Sequence, residues 1–560
     1  MIERFQKKNL SRTSYFLFLV GIITARLAIA LCQRVFLMAG GSALDDSLMF
    51  SAAQSIVQGQ WLGPYTAVSM AKSMGFSLWL ALLHVLRLPY LLGNALLWLG
   101  ASAFAARALR PLAPGNFPRL CLFALFALLP TSFAQFTLRV YRDSIFLAFC
   151  LLFFAGVLGL ALRAREPNSP GRYLAALGAG IGLCGGFLLR EDGVVLLPFA
   201  ACALALLVLY AFFGKTMQRK GVLCLQCALP FVVLLGGILA FSLANYTHYG
   251  VFLVNDLSAG AFPKAYGAIT AVSEGESGFT RGAPVSNEAL ETLCEEVPSL
   301  ALLEPSLRAG PAFNGYYDKE KDAYGGSFYY ALKMAAWLEG LTPDAESAQA
   351  YWTKVRQEVD HAVAEGRLKS ATPGGSTLPR WDSSLLGPAV RESLSAIKLV
   401  LLFETIDQHP QVSLGQADEV QRMAEWLHSP TQPEAYEEGG QSLYFNPLQK
   451  AVFLFCDVLI WVYRILIWPL LALAVYKTGL SLARGTKRLF REKEFFFELL
   501  CGLLSLGLFL SFLLRIAVSS YMEVAAFGVG TYLLYLAGGV PALLLFCCYG
   551  TLLPTPKEAA

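Results

Sequence analysis

Two adjacent carboxylates, Asp45 and Asp46, stand in the stretch ALDDSLMFSAAQSIVQGQWLGPY (43 to 65), directly after an apolar run long enough to be a membrane helix. A carboxylate partly desolvated at a membrane surface has a raised pKa and can take a proton from a hydroxyl or an amine. Such a base needs cations beside it to hold an anionic leaving group. Lys72, Arg139, Arg142, Arg190 and Arg515 all lie near the ends of apolar runs, in the company of Asp143, Glu191 and Asp192. Arginine keeps its charge on burial, and its planar fork suits phosphate oxygens. The set reads as a phosphate-binding site beside a base. Taken singly, each charge also suits a plain interfacial role, snorkelling to water at a helix end. One aspartate can cap the helix that follows, which leaves the other unexplained.

The elements that must position these residues are membrane helices. Of 560 residues, 56% are hydrophobic and 15% charged, and most apolar runs approach the roughly 20 residues that a bilayer core demands. Ten runs are expected to span: 14–38, 88–108, 119–137, 143–163, 173–189, 193–213, 222–243, 451–475, 496–517 and 523–549. An eleventh, 72–86, is short and is expected to lie in the interface. That choice gathers roughly twenty Lys and Arg, including RALRPLAPGNFPR, RAREPNSPGR and YKTGLSLARGTKRLFREKE, on the N-terminal face, which the positive-inside rule makes cytoplasmic. Asp45, Asp46, RVYRDS, LREDG and the polar stretch then share the outer face. Within the opening stretch, Met49, Ala52, Ala53, Ile56 and Val57 recur at helical spacing up to Gly59, describing a short amphipathic helix along the membrane surface.

The chain divides by composition into an N-terminal membrane module, 1–244, whose first outer loop is 39–87, a polar and mainly helical outer domain, 245–449, and C-terminal membrane helices, 450–560. Both termini are expected in the cytoplasm, and the basic start reads as a retained first helix rather than a cleaved signal. In the polar domain, Tyr316, Tyr317, Tyr324, Tyr329 and Tyr330 suit either a glycan platform or, preferably, an aromatic core. Asp457 and Arg464, seven residues apart and so on one face, suit contact with a lipid phosphate or, preferably, a structural pair, and Arg26 and Arg34 are expected to be paired inside the bundle. Nearly all of the 12 cysteines sit in apolar runs, and the five histidines are scattered without metal-ligand spacing. The net charge of +4 argues against a nucleic-acid partner.

With an acidic pair after helix one, the surface helix 46–59, Lys72 with the half-span 72–86, YRD after helix three and an outer domain, the chain resembles bacterial integral membrane glycosyltransferases of the GT-C superfamily. The resemblance covers about residues 14–245 in architecture and is sharpest at 43–76. It implies a sugar donor linked to polyprenyl phosphate and an inverting transfer at the outer face of the bacterial cytoplasmic (inner) membrane. It also implies that Asp45 or Asp46 is the base, that Asp143 shapes the site or, as in the oligosaccharyltransferase branch, binds a divalent metal, that the cations hold the donor phosphate, and that Trp61 and Tyr65 stack on a sugar. The acceptor, whether glycan, lipid or protein, is not specified. YRD lacks the D-x-D spacing of the metal-dependent branch, which argues against a divalent metal, and no cofactor is assigned. A transporter or flippase of lipid-linked saccharides is the rival reading, and a non-catalytic scaffold is a third. A transporter, however, would place its ionisable groups near the bilayer midplane rather than at helix ends.

Overall fold

The computed structural model describes residues 2–39, 44–166, 169–214, 220–278, 282–309, 317–318, 322–371, 379, 381–432, 446–492, 496–528 and 530–554. Helix dominates, because an apolar run away from water can satisfy its backbone only from within itself. The membrane module comprises α1 (Arg12–Cys32), α2 (Asp46–Val57), α3 (Gly75–Val85), α4 (Tyr90–Ala108), α5 (Asn116–Ala127), α6 (Asp143–Leu162), α7 (Pro170–Leu189), α8 (Leu197–Phe213) and α9 (Lys220–Tyr249). The polar stretch contributes α10 (Phe262–Ser277), α11 (Phe328–Leu338), α12 (Ala345–Ala364), α13 (Leu386–Leu401) and α14 (Ala417–Trp426). The chain then returns to the bundle with α15 (Pro447–Glu492), α16 (Phe497–Met522) and α17 (Val540–Leu552).

Nine helical segments among the described residues are long and apolar enough to cross a membrane, so the protein is a multi-pass, all-α membrane protein. The expected span 119–137 is made in two pieces. Helix α5 stops at Ala127, and Pro130, which has no amide proton to donate, opens the first of two short turns, Pro130–Phe133 and Gln135–Thr137. The span expected at 523–549 starts later, because Glu523–Phe527 extends α16 and the chain reverses at Gly528, whose φ of +71° favours glycine.

Segment 72–86 does not cross. Helix α3 has 11 residues, about 16 Å of helix. The loop after α4 accordingly lies beside the N-terminus: the Gly115 amide donates to the Gln6 carbonyl at 2.8 Å, and the Leu10 amide to Asn116 Oδ1 at 2.6 Å. At that same end Arg163 donates to the Ala108 carbonyl at 2.9 Å, and Gln6 to the Leu552 carbonyl at 3.0 Å. The acidic motifs gather at the opposite end.

Helix α6 is the axis of the bundle, buried on nearly every side. It lies against α7 so closely that a Cβ on Gly182 would sit 2.3 Å from the Phe153 amide nitrogen. Small residues permit such contact, which is how membrane helices gain van der Waals packing without a hydrophobic drive.

Within the polar stretch, Phe262, Tyr266, Ile269, Leu293, Tyr324, Phe328 and Trp352 form a core of their own. Three two-residue antiparallel strands, β1 (Val285–Ser286), β2 (Tyr317–Asp318) and β3 (Ala323–Tyr324), join it in the order β1-β3-β2. Tyr324 and Tyr330 are buried there, as an aromatic core requires, whereas Tyr316 lies outside the described residues. The later part of the stretch packs differently: Ala396, Val400, Phe403, Met423 and Leu427 belong to the core of the bundle. Isolated parallel bridges tie it to the end of α1, Met38 with Leu414 and Val35 with Thr431.

Asp457 and Arg464 do not pair with each other, and Arg26 is held by a backbone carbonyl. Asp457 accepts from Gln408 at 2.8 Å, while Arg464 donates to the carbonyls of Leu402 and Phe403 at 2.7 and 3.0 Å. Arg26 is buried and donates to the Ser132 carbonyl at 3.0 Å, with no carboxylate paired to it among the described residues.

Candidate active site at one end of the bundle

The opening stretch folds as its periodicity requires: α2 begins at Asp46 and buries Met49, Phe50, Ala52 and Ala53. Asp45 occupies the capping position, yet its side chain makes no capping hydrogen bond. It turns instead to Lys72, with which it forms an ion pair, and accepts from the Tyr141 hydroxyl at 2.8 Å. Asp46 is fully buried and is gripped by Arg139, whose Nε lies 2.9 and 3.1 Å from its two oxygens. Arg139 also reaches Asp45, with Nη2 3.4 Å from Oδ2. Neither aspartate is spent on capping, because a cation offers each a stronger partner than an exposed amide does.

Lys72 and Arg139 arrive from separate loops. Lys72 lies on the turn before α3, where the Asp256 amide donates to the Met70 carbonyl at 2.9 Å, Asn255 Nδ2 to Ser73 Oγ at 3.1 Å, and the Ser73 amide to Glu191 at 2.6 Å. Asp256 itself is in a buried ion pair with Lys333 of α11. Arg139 precedes α6 on a segment bridged to Phe36, and its carbonyl accepts from the Tyr90 hydroxyl at 2.9 Å. Tyr141 joins the two: the centre of its ring lies 4.8 Å from the Arg139 guanidinium, 5.3 Å from that of Arg142 and 5.5 Å from the Lys72 ammonium.

A second set of ion pairs adjoins the first. Arg142 lies 2.8 Å from Glu191. Arg190 pairs with Asp143 at the start of α6 and also holds Asp192 through Nε at 2.8 Å and Nη2 at 2.9 Å. Arg515 of α16 reaches Asp192 at 2.6 Å and donates to the Tyr535 carbonyl at 2.8 Å. The charged residues expected to form the site, Asp45, Asp46, Lys72, Arg139, Arg142, Asp143, Arg190, Glu191, Asp192 and Arg515, thus fall into two linked clusters at one end of the bundle. The two aromatic candidates lie elsewhere, against α9: Trp61 donates to Asn245 at 2.8 Å, and Tyr65 packs on Tyr249 beside a cleft of about 370 Å³ that Asp344 and Glu346 also line.

The two aspartates differ electrostatically. Burial opposes the charge on Asp45, but Lys72, Tyr141 and Arg139 outweigh it and lower its pKa to about 2. Asp46 moves the other way, since burial, with Asp45 beside it, raises its pKa in spite of Arg139. Lys72 is lowered by burial and by the neighbouring Arg142, against the pull of Asp45. Asp45 is the more accessible carboxylate, its side chain 32% exposed.

The acidic residues here are matched to arginine and lysine rather than grouped, and no cluster of three His, Cys, Asp or Glu able to hold a metal occurs among the described residues. Tyr141 and Asn255 carried no signal in the sequence. Tyr141 is one of 23 tyrosines, and only its place between Arg139 and Arg142 sets it apart. Asn255 is drawn in by tertiary contact alone.

No protein-family profile matches the chain, and no curated protein matches it. Among solved structures, two crystal structures of ArnT from Cupriavidus metallidurans are similar to it, each at 13% sequence identity. The apo form covers 92% of this chain and 78% of that one, with a TM-score of 0.29. The form bound to undecaprenyl phosphate covers 91% and 78%, with a TM-score of 0.27. Both likenesses are loose, and the chemistry of the site stands on its own geometry.

Proposed function

We propose that the protein is an integral membrane glycosyltransferase that moves a sugar from a polyprenyl-phosphate-linked donor to an acceptor hydroxyl or amine at the outer face of the membrane, with inversion. The observation that carries this reading is the convergence of Lys72 and Arg139 on two adjacent carboxylates, with Lys72 on the accessible Asp45 and Arg139 reaching both. Such cations can serve either a carboxylate or a phosphate. The acceptor oxygen or nitrogen attacks the anomeric carbon, the bond from that carbon to the phosphate oxygen breaks, and the acceptor proton passes to Asp45. The phosphate leaves as an anion held by Lys72 and Arg139, with Arg142 and Arg190 behind them. As these cations turn toward the donor, Asp45 loses the partners that depress its pKa and becomes a stronger base at the moment it is needed. Asp46 stays with Arg139 and orients it.

The donor class rests on the likeness of residues 43–76 to the first loop of GT-C enzymes, and the outer location on the basic loops at the opposite end. The test is turnover of a panel of polyprenyl phosphate sugars by the purified protein, with Asp45→Asn and Asp46→Asn alongside. Saccharide transfer that falls by about 100-fold or more in Asp45→Asn supports the reading. Transfer left intact in both variants, or tight donor binding without turnover in any acceptor mixture, overturns it, and the second outcome favours a transporter or scaffold.

A further inference from the structure

Arg26 lies in the middle of α1, 4% exposed, in the interior of a membrane bundle. Its Nη2 donates to the Ser132 carbonyl, but Nε and Nη1 are buried without a hydrogen-bond partner. No acidic side chain pairs with it among the described residues. A guanidinium stays protonated under these conditions, and an uncompensated charge in a bundle interior is strongly unfavourable.

The guanidinium borders a cavity of about 20 Å³, lined also by Gln33, Asn94, Ser132, Thr137 and Ser144, with Leu91 and Trp98 among its apolar walls. That is room for one or two particles of the size of water. The polar groups around it are unevenly committed. The hydroxyls of Ser132, Thr137 and Ser144 donate to the carbonyls of Leu129, Ala134 and Tyr141, and the Gln33 amide donates to the carbonyls of Phe133 and Gln408. Asn94 accepts from Trp79 through Oδ1, while its Nδ2 lies near the Tyr90 phenol without reaching hydrogen-bond geometry. The buried polar atoms left without a hydrogen bond in this lining, Arg26 Nε, Arg26 Nη1 and Asn94 Nδ2, are all donors. A water can accept from these donors and give its protons to the lining hydroxyl oxygens, but it leaves the charge on Arg26 uncompensated, whereas a small anion accepts from the same donors and neutralises it.

We propose that this cavity is a binding site for one monatomic anion of the halide class, held by Arg26 and Asn94. The ion balances the charge that fixes Ser132, on the two-piece crossing that leads to Arg139. The site is separate from the two ion-pair clusters and does not depend on the transferase reading.

The test uses the purified full-length protein in detergent. Its Tm is measured in sodium chloride and in sodium gluconate at equal ionic strength, and crystals grown in sodium bromide are examined for anomalous scattering. Replacing chloride with gluconate is expected to lower the wild-type Tm by at least about 2 °C, and a bromide peak is expected beside Arg26. Arg26→Gln is expected to remove the dependence. Should that variant fail to fold, Asn94→Asp decides: its carboxylate keeps the acceptor for Trp79 and supplies a fixed negative charge, so its Tm should no longer respond to halide. A wild-type Tm indifferent to halide, a response that survives in Arg26→Gln or Asn94→Asp, or a cavity without a bromide peak overturns the proposal.

Discussion

Arg139 grips Asp46 through Nε at 2.9 and 3.1 Å, across 93 residues of sequence, while the carboxylate is shut off from solvent. The pair fixes the start of α2 against the loop before α6, and so determines where Asp45 points. Removing the arginine alone would leave a buried carboxylate without its counter-charge. Arg139→Gln is therefore expected to destabilise the protein by about 3 kcal/mol. Asp46→Asn, which keeps hydrogen-bond acceptance while removing the charge, should cost less. Thermal unfolding of both variants in detergent checks the order, and equal losses would mean that the pair contributes only as packing.

The depressed pKa of Asp45 makes a prediction about pH. A carboxyl at about 2 in the folded protein, against an ordinary 3.8, adds stability that is complete above the ordinary value and disappears as the pH falls through the folded one. The difference in Tm between wild type and Asp45→Asn should thus be flat above about pH 5 and shrink between about pH 4 and pH 2. Lys72→Gln removes the partner that does most to lower the pKa, and should move that window upward. If the wild-type difference already shrinks near neutral pH, Asp45 is not held by these cations at rest.

Tyr141 faces three cations with its ring, while its hydroxyl donates to Asp45 at 2.8 Å and accepts from Lys72 at 3.1 Å, so ring and hydroxyl can be separated by substitution. Tyr141→Phe loses the hydrogen bond to Asp45 and the one from Lys72, and should cost about 2 kcal/mol. Tyr141→Leu also loses the aromatic face beneath Arg139, Arg142 and Lys72, which adds roughly 0.5–1 kcal/mol for each contact retained in the folded state. On the proposed function, donor KM rises more in the leucine variant than in the phenylalanine variant. Identical behaviour of the two would remove the ring from the account.

The charged half of this site is legible in the sequence because Lys and Asp at the ends of apolar runs have few places to go except a common interface. Asp45, Lys72, Arg139 and Arg190 are found that way. Their pairing is not legible: nothing local says that Arg139 chooses Asp46 or that Arg515 closes on Asp192, since these contacts depend on how α6, α7 and α16 pack. Trp61 and Tyr65 show the opposite failure. They sit next to the acidic pair in sequence, yet the turn after α2 carries them to α9, where Asn245 and Tyr249 supply the contacts. The break in the span at 119–137 falls at Pro130, and an apolar run alone does not tell a continuous helix from a two-piece crossing.

Gly75 opens α3 three residues after Lys72, and a Cβ there would meet the backbone of α7, 2.5 Å from the Leu188 carbonyl oxygen and 2.9 Å from its carbon. Backbone cannot swing aside as a side chain can, so Gly75→Ala must push α3 away from α7. The shift falls between Lys72 on one side and Leu189, Arg190 and Glu191 on the other, the segment that joins the two ion-pair clusters. The variant is expected to lose about 1–3 kcal/mol of stability. Its donor KM should rise through displacement of Lys72, without loss of any charged group. Gly100→Ala is the matched control, because nothing lies within 4 Å of the Cβ it would add in α4, and glycine inside a helix is itself unfavourable. That variant should be neutral or slightly stabilising. If Gly75→Ala matches it in both Tm and donor KM, the close approach of α3 to α7 is not what holds Lys72 in place.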